Sequence, residues 1–86
     1  MRIEASLSAD GTAIRLIGRL SAECLPLLKA QIEAGGSRVA LEMSEVTLVD
    51  VEVVRFLVEC TARGVQLRAC SAYIREWIAR EKAGRT

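Results

Sequence analysis

The chain has no histidine, one proline, three aromatic residues and no apolar run approaching the roughly 18 residues of a membrane span. Each shortage removes a class of function. Without histidine the commonest general base and the commonest metal ligand are both missing, and no other catalytic constellation takes their place. The aromatics Phe56, Tyr73 and Trp77 are 3% of a chain that is 51% apolar, so its core must be aliphatic. Charge of either sign is not in excess: twelve basic residues against eleven acidic leave +1, with no long run. That balance gathers neither nucleic acid nor an anionic membrane. Cysteine is scarce and odd in number. Cys24, Cys60 and Cys70 lack C-x-x-C spacing and read as small buried hydrophobes in a reducing compartment, with a redox-sensing thiol or zinc site as the sharper alternatives. The start, Met1-Arg2-Ile3-Glu4, carries no hydrophobic signal region. The expected location is the cytoplasm.

What is present is a regular succession of short elements. Ile3, Ala5 and Leu7 alternate with Glu4, Ser6 and Ser8 over 3–8, the period of a half-buried strand. Asp10-Gly11 is a turn signal, and 13–18 resumes a strand, so the first two strands should form a hairpin. A helix is predicted over 24–34, with Pro26 in its first turn, Leu25, Leu28 and Ile32 on one face, and Gly35-Gly36 as its stop. No lysine or helix start follows that glycine pair, so it is not a phosphate loop. Val39, Leu41 and Met43 mark a third strand, and 44–49 is expected to be a loop. Asp50 stands at the N-cap position of a helix over 51–63, which Gly64 ends. Val65, Leu67 and Ala69 mark the last strand, and Ser71 caps a helix over 72–83 striped with Ile74, Trp77 and Ile78. Tyr73 and Trp77 are a hydrophobic pair on that helix rather than a ligand platform.

The order ββαβαβα implies crossover units and a small, mainly parallel four-stranded α/β sheet in a single domain, 1–86. A parallel sheet covered on both faces would have continuously apolar strands. These alternate instead, with Glu4, Arg15, Arg38, Glu42, Gln66 and Arg68 away from the core. The helices should therefore lie mostly on one face, leaving the other wet or free for a partner. On the second helix Glu52, Arg55, Glu59 and Arg63 form a charged arc with ion-pair spacing. The apolar remainder is wider than one sheet face requires. Its margins, Val51 and Phe56, are candidates for exposure.

The stretch Leu41-Glu42-Met43-Ser44-Glu45-Val46-Thr47-Leu48-Val49-Asp50 resembles the signature of STAS domains, the family of anti-sigma-factor antagonists and sulphate-transporter tails. Ile17-Gly18-Arg19-Leu20 and Gly64-Val65-Gln66-Leu67 resemble two further segments of the family pattern, so the likeness spans about 10–80. It implies a binding surface made by the loop before the second helix and by that helix. Thr47, Asp50, Val51 and Phe56 are the candidate partner-binding residues. Asp50 is a helix cap on the bland reading and a direct partner contact on the sharp one. In the antagonists a serine directly follows this aspartate and is phosphorylated by a kinase-like anti-sigma factor. Val51 stands at that position, so no phosphorylation is expected there. Ser44 and Thr47 read as loop hydroxyls bonded to backbone, with phosphate acceptance as the sharper alternative.

The resemblance thus implies a cytoplasmic protein–protein interaction module of the STAS type, an anti-sigma-factor-antagonist-like regulator in bacterial signalling without the serine switch. No cofactor, enzymatic activity, nucleic acid or membrane insertion is expected. The partner would be a kinase-like anti-sigma factor or another regulator, and a homodimer is also allowed for. The alternative is a STAS-like structural subunit of a larger assembly, such as a lipid-transport ABC complex.

Overall fold

In a computed structural model the described residues are 2–9, 11–36 and 38–84. Strands β1 (Arg2–Ser8) and β2 (Gly11–Leu20) pair antiparallel, with Ser8 opposite Gly11. They form the expected hairpin, although Asp10 of its turn lies outside the described residues. Helix α1 (Leu25–Ala34) follows, then β3 (Val39–Val49), α2 (Val51–Ala62), β4 (Gln66–Arg68) and α3 (Ala72–Ala83). The sheet order is β1-β2-β3-β4, with β2, β3 and β4 parallel. Because both crossovers step the same way across the sheet, right-handedness places α1 and α2 on one face.

That face carries the core. Ile14, Leu16 and Leu20 of β2, Leu41 and Met43 of β3, Leu28 of α1, Leu57 of α2 and Ile74 of α3 are almost entirely excluded from solvent. No buried polar or charged residue is found among the described residues. The core is aliphatic, as the scarcity of aromatics required. Trp77 reaches it from α3 while Tyr73 stays exposed, and their rings lie 6.0 Å apart at 44°.

The opposite face bears a cross-strand row of alternating charge. Register sets Glu4 opposite Arg15, Arg15 opposite Glu42, and Glu42 opposite Arg68. Arg15 lies 3.8 Å from Glu4 and 3.8 Å from Glu45, Arg68 is 3.9 Å from Glu42, and Arg2 is 3.1 Å from Glu4. Exposed pairs of this kind contribute about 0–1 kcal/mol each. Their arrangement nevertheless leaves every charge of the row beside opposite ones, and the face is wet.

Four expectations need correction. The segment 44–49 is not a loop but the second half of β3, because Ile17 to Leu20 extend β2 alongside it. Ala69 is not a core residue of β4: it lies exposed beyond the strand with φ 54°, a conformation that ends β4 after three residues. Leu7 and Ala5 share the core side of β1 with Ile3, yet both are exposed because the helical layer stops short of their end of the strand. Finally, a 3-10 turn (Ala22–Cys24) precedes α1, so the α-helix begins one residue later than expected.

Candidate protein-docking site

Strand β3 is longer than a simple pairing with β2 allows. Between Arg15 and Ile17 of β2 it advances from Glu42 to Glu45, and between Gly18 and Arg19 from Val46 to Leu48. Each interval inserts one extra residue, so β3 bulges twice. The second bulge leaves Thr47 without a ladder partner and brings Leu48 opposite Arg19. Gly18 on the facing strand has φ 92°, where an L side chain is strained. Ser44, Thr47 and Leu48 are exposed there.

Asp50 fastens this end of the sheet. Its Oδ1 accepts from the Val53 amide at 3.1 Å and caps α2, while Oδ2 accepts from the Ala22 amide at 2.8 Å and holds the 3-10 turn before α1. Its own N–H donates to the Leu20 carbonyl at 3.2 Å. One carboxylate therefore ties together two of the three places where a parallel strand passes into a helix. Both of its oxygens accept bonds from the chain itself. Asp50 shapes the surface from beneath.

Several large apolar side chains are left in water. Leu48 is 51% exposed, Val51 36%, Leu27 in the first turn of α1 52%, and Tyr73 in the first turn of α3 53%. Leu27, Leu48 and Val51 lie where β2 and β3 pass into α1 and α2, whereas Tyr73 begins α3 beyond β4, whose last residue Arg68 pairs with Glu42. Leu7 is the fifth exposed large hydrophobe among the described residues. The carboxyl end of parallel strands is where open α/β sheets commonly bind ligands.

Of the expected site residues, Thr47, Asp50 and Val51 come together here. Phe56 does not sit as expected. It is half-buried against the core, and the Lys29 ammonium of α1 lies 5.6 Å from its ring centroid. The neighbouring helix covers that margin of α2, and the exposed margin is Val51. Leu27 and Leu48 were missed from sequence because only the tertiary fold brings the start of α1 beside the end of β3. The one local sign was the apolar pair Leu48-Val49 at the end of β3.

The site offers little chemistry beyond contact. Burial pushes the Cys24 thiol above its ordinary value, with the Asp50 charge a lesser contribution in the same direction. Burial likewise raises Cys70, and raises Cys60 to about 11. None is poised as a thiolate nucleophile. No group of side chains able to hold a metal ion is found among the described residues. A recess lined by Val58, Glu59, Ala62, Arg63 and Lys82 lies at the other end of α2.

The fold is that of a known protein. It superposes on the unphosphorylated anti-sigma factor antagonist SpoIIAA with a TM-score of 0.73, covering 95% of this chain and 94% of that one at 13% identity. A DUF3478-family protein from Shewanella loihica with a SpoIIAA-like fold aligns at 18% identity and a TM-score of 0.47, covering 99% of this chain and 79% of its own. No family model matches the sequence, and no curated protein matches it. The α/β fold is SpoIIAA-like.

Proposed function

We propose that the chain is a STAS-type protein-binding module, a cytoplasmic regulator comparable to an anti-sigma-factor antagonist but without a serine switch. The observation that carries this reading is the set of exposed apolar side chains Leu27, Leu48 and Val51, where β2 and β3 pass into their helices. The SpoIIAA-like fold supports it, because that fold serves a protein named as an antagonist of another protein. The occupant is a protein with a complementary apolar face, and Thr47 and Val51 touch it directly. Asp50 acts by holding the two helix starts in place, and Phe56 acts by seating α2 against α1. Val51 offers no hydroxyl, so binding here is constitutive with respect to phosphorylation at that position.

The test starts with capture of the partner from the native cell, identification by mass spectrometry and a titration with the purified partner. Leu48→Glu and Val51→Glu should each weaken binding by at least about tenfold, the effect of losing more than about 1.4 kcal/mol at a contact. Both should melt like the parent, since both side chains are exposed. Unchanged affinity in both variants would contradict the docking surface. A permease–ATPase as the captured partner would instead favour the structural-subunit reading.

A further inference from the structure

The two edges of the sheet are not equivalent. At one edge β4 is three residues long and is ended by Ala69 at φ 54°. At the other, β1 runs for seven residues with no proline and no bulge in its pairing to β2. Long regular edges invite another strand and are usually blunted. The helical layer also stops short of this edge, leaving Leu7 86% exposed and Ala5 exposed on the core side of the sheet. Ile3, on the same side, leans on the core cluster.

The sequence of β1 is self-complementary about its midpoint. Antiparallel pairing of two copies centred on Ala5 sets Ile3 opposite Leu7, Ala5 opposite Ala5, Glu4 opposite Ser6 and Arg2 opposite Ser8. Every strand residue then has a partner. Apolar residues meet on the core side, polar residues on the wet side, and no like charges are opposed. Pairs in this register join positions of the same parity, so the outward N–H and C=O groups of both strands meet. Neighbouring registers of that parity are worse. Centring on Glu4 sets two carboxylates face to face, which destabilises a sheet pair. Centring on Ser6 leaves two residues of each strand unpaired, and centring on Ile3 leaves four, Leu7 among them.

We propose that β1 is a homodimer seam, joining two copies about a two-fold axis at Ala5 into one eight-stranded sheet. The exposed Leu7 of each copy then rests on Ile3 of the other. This surface is separate from the proposed docking end, and its test is independent of that reading.

Sedimentation of the purified chain across a concentration series reads the association. Ala5→Cys in a Cys70→Ser background reads the register, because Cys24 and Cys60 are buried. Directly opposed antiparallel residues lie about 4.5–5.5 Å apart between Cα atoms, within disulfide reach. Mild oxidation should link Ala5→Cys into a covalent dimer, whereas Ser6→Cys, which faces Glu4 of the second copy, should remain uncoupled. Leu7→Lys should weaken dimerisation at least tenfold while its circular dichroism and melting match the parent. Val51→Glu should dimerise as the parent does. A parent that stays monomeric throughout, equal cross-linking at Ser6→Cys, or an unimpaired Leu7→Lys dimer would overturn the seam.

Discussion

Asp50 bonds two amides that belong to different elements, Ala22 and Val53, so its removal uncaps both at once. Each cap is worth about 1 kcal/mol, and Asp50→Ala should cost about 2 kcal/mol in denaturant unfolding. Asp50→Asn, which keeps one acceptor oxygen, should cost less. The thiols give a second residue-level expectation. The folded chain holds the Cys60 proton up to about pH 11, whereas an unfolded thiol releases it near its ordinary value of 9.0. Between those values the unfolded state binds fewer protons, so stability falls as pH rises and levels off above them. Cys60 should account for a loss of about 3 kcal/mol across that window, and a Cys60→Val comparison isolates it. At neutral pH Cys24 and Cys60 should resist an aromatic disulfide reagent until the chain unfolds.

At the scale of elements, α2 separates packing from presentation. Leu57 is fully buried, so Leu57→Ala should cost about 2–5 kcal/mol. Phe56→Ala should fall between Leu57→Ala and a neutral change, because Phe56 is half-buried beneath Lys29. Ala69→Gly relieves a left-handed backbone and should stabilise the domain by about 0.5–1 kcal/mol in the same unfolding experiment. The order of elements was legible because each has local chemistry that settles it: alternation in the strands, Asp50 and Ser71 as caps, Pro26 in a first turn. The two bulges of β3 were not legible. They depend on how β3 meets β2 beside Gly18, so 44–49 looked like a loop and the exposure of Leu48 could not be assigned. Val51 was legible as an exposed margin of α2, whereas the cover over Phe56 comes from another helix.

The whole molecule divides its surface three ways: a neutral lattice of charges on the open sheet face, an unblunted edge at β1, and an apolar end at the helix starts. The open face should tolerate change. Single alanine substitutions at Arg15, Arg38, Glu42 or Arg68 should each shift stability by about 0.5 kcal/mol or less, as thermal and denaturant melts would show. The apolar end carries the functional claim, and it is tested most directly by amide chemical-shift perturbation on the labelled chain as the purified partner is added. The account predicts that the largest shifts and broadening fall on Ala22, Leu27 and residues 47–52, with the Glu4, Arg15, Glu42 and Arg68 row unaffected. A footprint centred on that charged row, or on the recess by Arg63 and Lys82, would contradict it.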